Sequence, residues 1–192
     1  MLETIEKYWW SEGHFNFDQR DYFIETLGKL NPKNVLEIGF ASGRSCVTAL
    51  VAAQPDQMVS VELNLDSVQP SARQHSQLLE KDFPNLKIIE GNSATVLNEQ
   101  FFNCYFADGV DFAFVDGGHS YQDAKTDCDN VYPHLNQGGM MVVDDYMSGP
   151  PNGCELLSVT TAVNDFAKEN NLSPTVWNVK GKGFAIFTKN ND

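Results

Sequence analysis

"NVLEIGFASGRSCVTALVAA", residues 34–53, sets the frame for the whole chain. Residues 34–40 make an apolar run of strand type, interrupted by one acid, Glu37. From residue 42 to 53, Cys46, Ala49, Leu50 and Ala53 recur at helical spacing. Between the two lie Gly39, Ala41 and Gly43. Gly39 allows a tight turn, Ala41 and Gly43 allow close backbone approach, and the start of the helix offers free N–H groups. Taken alone, such a loop is either a ligand cradle or a plain strand-to-helix turn. Glu37 says more, because an acid inside an apolar strand needs a polar partner to offset its burial.

Working outward, the same alternation repeats. Strand-like runs at 58–63, 86–90, 111–116 and 139–145 alternate with helical patterns. The helix expected over 65–81 has Val68, Ala72, Leu78 and Leu79 on one side, and a short helix follows Ser93. A helix over 120–135 carries Tyr121, Ala124, Cys128, Val131 and Leu135 on one stripe, and another spans 155–170. The last two runs, 175–180 and 183–188, are separated only by Gly181 and Lys182, which suits an antiparallel hairpin and not a crossover. The pattern predicts an α/β fold with a seven-stranded, mostly parallel sheet, a C-terminal antiparallel hairpin and helices on both faces. A single domain is expected over 1–192: two N-terminal helical segments, about 2–11 and 17–30 and within 1–33, precede a core over 34–189.

The chain has 192 residues, with 26 acids against 13 bases and a net charge of −13. Such a surface repels phosphate backbones and anionic lipid, so nucleic-acid and membrane partners are disfavoured and a small-molecule partner is compatible. No apolar run reaches the length of a membrane span. The first residues lack the basic region and apolar core of a signal peptide. Cys46, Cys104, Cys128 and Cys154 are scattered, which favours reduced thiols and a cytoplasmic location over a disulfide framework or zinc site.

In a sheet of this kind ligands bind beyond the carboxyl ends of the strands. Glu62 closes the second strand, 19 positions after Gly43, where an acid commonly accepts hydrogen bonds from ribose hydroxyls; an exposed strand-end charge is the alternative. Gly91-Asn92-Ser93 follows the third strand, and the Asn92 amide is suited either to an adenine edge or to a helix cap. The order E-x-G-x-x-x-G, a strand ending in Glu, G-N-S, a strand ending in Asp and a terminal hairpin resembles the class I S-adenosylmethionine-dependent methyltransferases. The resemblance implies that Gly39, Ala41 and Gly43 bound the methionine moiety, that Glu62 holds the ribose, that Asn92 and Ser93 border the adenine, and that Glu37 and Asp116 also belong to the cofactor site. An NAD-dependent oxidoreductase is the nearest rival; Ala41 in place of the middle glycine and the terminal hairpin weigh against it. A non-catalytic binding subunit on the same fold is a third reading, against which the intact acids argue.

The stretch "VDGGHSYQDAKTD", residues 115–127, adds the chemistry. Asp116 ends the fourth strand, and Asp144 and Asp145 end the fifth. If those strands are neighbours, about 4.8 Å apart, three carboxylates meet at one edge, and a hard divalent cation such as Mg²⁺ would offset their repulsion; unrelated strand-end acids are the alternative. D-G-x-H-x-Y followed by G-G-x-x-x-x-D-D-Y resembles the metal-dependent sugar O-methyltransferases of the macrocin O-methyltransferase type. That resemblance implies O-methylation of a small-molecule hydroxyl, with Asp116, Asp144 and Asp145 on the metal. His119 is suited to take the hydroxyl proton near neutral pH, or else to cap a helix. His75 and His134 read as solvated helix residues. The aromatic segment Tyr8, Trp9, Trp10, His14, Phe15 and Phe17 reads as a lid over the acceptor, a helix packed on the core, or a contact in a homo-oligomer. The Gly- and Pro-rich segment 146–154 is long enough to shape the acceptor pocket.

Overall fold

A computed structural model describes residues 1–147 and 157–190. It contains seven strands in a mostly parallel sheet with antiparallel C-terminal strands, as the alternation predicts. The chain divides into two compact units, Met1–Asn92 and Ser93–Asp192.

In the first unit, α1 (Leu2–Lys7) and α2 (Phe17–Leu30) precede β1 (Asn34–Ile38), α3 (Arg44–Ala53), β2 (Gln57–Glu62), α4 (Ala72–Asp82) and β3 (Leu86–Glu90). The sequence starts α2 with a capping box: Asn16 accepts from the Gln19 N–H while the Gln19 side chain accepts from the Asn16 N–H. β2 lies between β1 and β3, parallel to both, with Leu36 opposite Val59 and Ser60 opposite Ile88. Val35, Leu36, Val59 and Val61 are fully buried, the apolar pattern of a strand covered on both faces.

Helix α4 begins seven residues later than the expected 65. Pro70 disfavours the helical region for Gln69, so the preceding residues form turns. Its buried stripe is also different: Ala72, His75, Ser76 and Leu79 face inward, whereas Leu78 is exposed. His75 is therefore not a solvated residue. Its ring stacks on Trp10 with centroids 3.6 Å apart, and its Nδ1 lies 3.2 Å from the Ser42 carbonyl. Burial lowers its pKa and favours the neutral ring. The N-terminal aromatics pack on this unit. Phe15 is buried edge-on against Phe23, and Trp9 stacks on Phe17. Arg44 donates to the carbonyls of Trp10, Gly13 and Phe15.

The second unit runs α5 (Ser93–Val96), α6 (Glu99–Tyr105), β4 (Val110–Val115), α7 (Tyr121–Val131), a 3₁₀ turn (Tyr132–His134), β5 (Leu135–Val143), α8 (Leu157–Glu169), β6 (Thr175–Val179) and β7 (Lys182–Thr188). No helical stripe in the sequence announces α6, a short helix opened by the Asn98 side chain. Helix α7 stops at Val131 and not at 135, because Pro133 has no N–H to donate. His134, read as solvated, is half-buried and stacks on Phe102 at 3.6 Å. Tyr121 leaves the expected apolar stripe and donates its hydroxyl to Asp165. The hairpin turns on Lys180-Gly181, one residue earlier than expected. Both have positive φ, 54° and 79°, which matches the twist of a two-residue turn. β4 and β5 are parallel, with Val115 opposite Val143, and β7 runs antiparallel to β5. Phe114 meets Phe184, and Phe166 meets Phe187, edge-on in the core.

Glu37 has found its partners. It is buried in β1 and accepts from Ser45 Oγ at 2.6 Å and Ser60 Oγ at 2.5 Å. Desolvation dominates and pushes its pKa up from 4.5 to about 7, against the pull of the two hydroxyls. Between those values the folded state keeps a proton that the unfolded chain has lost. Stability therefore falls as pH rises through the window, at about 1.4 kcal/mol per pH unit. Glu37→Gln is expected to remove this fall. Urea unfolding at pH 5 and 7.5 should show a stability difference smaller than wild type by on the order of 2–3 kcal/mol. Equal differences in the two proteins would rule out a desolvated carboxyl.

Candidate functional site

The glycine loop of the first unit is a run of left-handed residues. Gly39, Ala41 and Gly43 have φ of 93°, 46° and 86°. Ala41 adopts a conformation that costs an L-residue roughly 1–2 kcal/mol. A Cβ on Gly43 would lie 2.7 Å from the Phe40 ring. What holds this conformation is Glu62. Its Oε2 accepts from the N–H groups of Phe40 and Ala41, both at 3.0 Å, and Gly39 N–H donates to the Val61 carbonyl. Glu62 is buried, so the alternative of an exposed strand-end charge does not hold. Glu37 lies below the loop and is occupied by its two serines. Asn92, at the end of this unit, is exposed.

The second unit carries an acidic cleft. The register of β4 and β5 ends both strands at the same level, and Asp144 N–H donates to the Val115 carbonyl at 2.9 Å. Asp116, Gly117, Gly118, His119, Asp144 and Asp145 line an open cleft. Asp116, His119 and Asp145 each offer a ligand atom, all within 4.8 Å of one another. His119 Nε2 lies 3.2 Å from Asp145 Oδ2, and Lys182 Nζ lies 3.9 Å from Asp145 Oδ1. Asp145 has φ of 59°, a left-handed position that aspartate tolerates better than most residues, and its N–H is held by Asp144 Oδ1 at 2.7 Å. Asp144 thus lines the cleft while fastening its neighbour.

His119 is exposed, and the Ser158 hydroxyl donates to its carbonyl at 2.6 Å. Neither Gly117 nor Gly118 has a positive φ. Gly118 is needed for space: a Cβ there would lie 2.5 Å from Asp123 Oδ2. Ser93 is half-buried. The expected pocket-shaping segment 146–154 lies outside the described residues beyond Met147.

Three residues near these features escaped the sequence reading. Arg44 ties the N-terminal segment to the start of α3, and Lys182 reaches Asp145. Asp127 is buried in α7. Asp127 alone had a readable signal, an acid at the spacing of Ala124 and Val131 on the apolar stripe.

The fold is that of a class I methyltransferase. It superposes on cofactor-bound Rv0187 from MTB with a TM-score of 0.75, at 16% identity over 99% of this chain and 88% of that one. It is equally similar to the O-methyltransferase TomG of Streptomyces achromogenes, solved with SAM, with a TM-score of 0.75, 17% identity and coverage of 98% and 87%. An O-methyltransferase of Bacillus cereus, in complex with SAH, gives a TM-score of 0.71 at 15% identity, covering 97% and 90%. Residues 36–146 match the family described as "Methyltransferase domain", and the chain belongs to that family. A 38-residue stretch is 45% identical to uncharacterized protein R132 of Acanthamoeba polyphaga mimivirus, and it spans 20% of this chain and 17% of that protein.

The loop geometry assigns Glu62 a structural load beside any ligand it holds. Glu62→Ala is expected to lower stability by about 2–4 kcal/mol, because it strands two N–H groups bonded to a charged acceptor. Glu62→Gln, which keeps one acceptor, should lose less. The measurement is urea unfolding without ligand. Unchanged stability in Glu62→Ala would mean that the loop holds its shape without the carboxylate.

Proposed function

We propose that the protein transfers the methyl group of S-adenosylmethionine to a hydroxyl of a small molecule, a sugar or a phenol, with a divalent ion. The observation that carries this is the convergence of Asp116, His119 and Asp145 in the cleft at the ends of β4 and β5, in a chain of the methyltransferase family. The complexes of TomG with SAM and of the Bacillus cereus enzyme with SAH support the choice of cofactor.

In this reading Gly39, Ala41 and Gly43 border the methionine moiety and Glu62 accepts from the ribose with the oxygen capacity its loop bonds leave. Asn92 and Ser93 border the adenine, and Asp116 closes the cofactor site. The donor set fits a divalent ion: two or three carboxylates carry the opposite charge and offer the oxygen ligands a hard cation prefers. Asp116, Asp144 and Asp145 would hold Mg²⁺ through oxygen alone, and an ion held also through the His119 nitrogen would favour a softer metal. Such an ion, when bound, lowers the pKa of a coordinated hydroxyl. His119 accepts the hydroxyl proton on the ring nitrogen not paired with Asp145, and Asp145, 3.2 Å from Nε2, favours the imidazolium that results. Asp144 keeps Asp145 in its left-handed conformation and so aims its carboxylate.

S-adenosylhomocysteine is expected to raise the melting temperature and NAD to leave it unchanged, as linkage requires for a ligand of the native state alone. Stabilisation by NAD only would reverse the cofactor reading. With a vicinal diol such as catechol as test acceptor, chelator treatment should abolish turnover and Mg²⁺ restore it. Recovery with Zn²⁺ but not Mg²⁺ would place His119 on the ion. His119→Ala should lower kcat by roughly 10²–10⁴ with little change in cofactor affinity. If the variant only lost stability, at unchanged kcat per folded molecule, His119 would be a structural residue.

A further inference from the structure

Asp127 is the anomaly of the second unit. It is 1% exposed, on the face of α7 that also buries Ala124, Cys128 and Val131. Neither of its carboxylate oxygens has a hydrogen-bond partner. Burial pushes its pKa up to about 6; the Ser93 hydroxyl pulls the other way and Asp123 adds to the rise. Ser93 therefore faces the carboxylate without completing a bond of standard geometry. A buried carboxyl with no partner is costly, and an alanine or leucine at this position would continue the apolar stripe at no such cost. The acid is explained if it acts on the polar group it faces.

Ser93 is the first residue of α5 and is half-buried, so it presents one side to the interior and one to solvent. A serine hydroxyl has one proton and two lone pairs. If the proton goes to a carboxylate behind it, the outward side can only accept. An outward acceptor suits the amino group at the edge of adenine and not an oxo group in the same place.

We propose that Asp127 is a positioning residue for cofactor recognition: it takes the Ser93 hydroxyl proton and thereby makes Ser93 an acceptor for the adenine amino group. This rests on the reading of S-adenosylmethionine as cofactor and of Ser93 as part of the adenine border. The recognition is by polarity. Asp127→Asn keeps the volume but supplies an N–H₂ donor, which turns the Ser93 proton outward and should favour an oxo group over an amino group.

The test is the affinity of the purified protein for S-adenosylhomocysteine and for S-inosylhomocysteine, in which the amino group is replaced by oxo, measured by titration calorimetry. Wild type should prefer the adenosyl compound. Asp127→Asn should reduce that preference by about three- to tenfold, the span of one neutral hydrogen bond. Ser93→Ala should reduce it similarly, and the double variant no further, since both changes remove the same interaction. A merely structural Asp127 predicts a lower melting temperature with the preference unchanged in Asp127→Asn, and that result overturns the proposal. If Asp127→Asn does not fold, Ser93→Ala decides: an unchanged preference overturns the proposal, and a reduced one supports it. Wild type that binds neither compound would instead overturn the cofactor reading, and the proposal with it.

Discussion

The bond pair from Phe40 and Ala41 N–H to the Glu62 carboxylate is the constraint on which the first unit's chemistry depends. A loop with left-handed residues at Gly39, Ala41 and Gly43 has no repeating hydrogen bonds of its own. It must be fastened from outside, and the fastener must accept more than one N–H. A carboxylate at the end of the adjacent parallel strand meets that need, because the β1–β2 register carries Ile38 opposite Val61 and so places Glu62 one step beyond. Glu62 therefore shapes the loop, and under the proposed function the same carboxylate would meet the ribose, which would couple loop geometry to ligand geometry through one side chain.

The second unit solves a related problem with the opposite economy. Parallel pairing of β4 and β5 sets Asp116 and Asp144 at one level, but a regular strand end would not aim Asp145 at His119. The left-handed φ of Asp145 does, and the Asp144 carboxylate satisfies the N–H that this conformation exposes. Two adjacent acids thus divide the work, one shaping the backbone and the other facing the imidazole. Sparsely populated backbone conformations of this kind persist only where the surroundings over-determine them. Here the surroundings are the β4–β5 ladder on one side and the β5–β7 ladder on the other.

The sequence made the alternation of strands and helices legible because apolar runs and helical stripes differ in period, and each strand end then pointed to its acid. Glu37's need for partners was also legible, since burial of a carboxylate demands them wherever they come from. What stayed hidden depended on tertiary context. His75 looked solvated because a histidine on a polar helix usually is; its burial comes from Trp10, which no local pattern connects to it. Pro70 and Pro133 displaced helix boundaries, although their effect is local and could have been applied. The need for Gly118 stayed hidden too, because it comes from the Asp123 side chain, which only the folded turn brings near. Adjacency of two strands grouped Asp116, Asp144 and Asp145, whereas the trio with ligand atoms close together is Asp116, His119 and Asp145, and Lys182 came from a hairpin that the sequence placed one residue away.

Five acids are buried among the described residues: Glu37, Glu62, Asp127, Asp144 and Asp145. In a chain of net charge −13 the surface acids are solvated and cost little, so these five carry the information. They differ in what compensates them. Glu62 and Asp144 are held by backbone N–H groups, which cannot withdraw without rearranging the chain. Glu37 is held by two serine hydroxyls in the interior, and their geometry is fixed by β2 and α3. Asp145 is compensated by the side chains of His119 and Lys182, both of which reach in from positions with access to solvent. A side-chain partner can swing away and be replaced, and a backbone partner cannot. The kind of compensation thus separates carboxylates that shape the fold from one whose partner can be exchanged for a ligand. By that criterion Asp145 is the acid whose partners can move, Asp144 the one that holds it in place, and Asp127, with no hydrogen-bond partner at either oxygen, the one whose role must be sought in the group it faces.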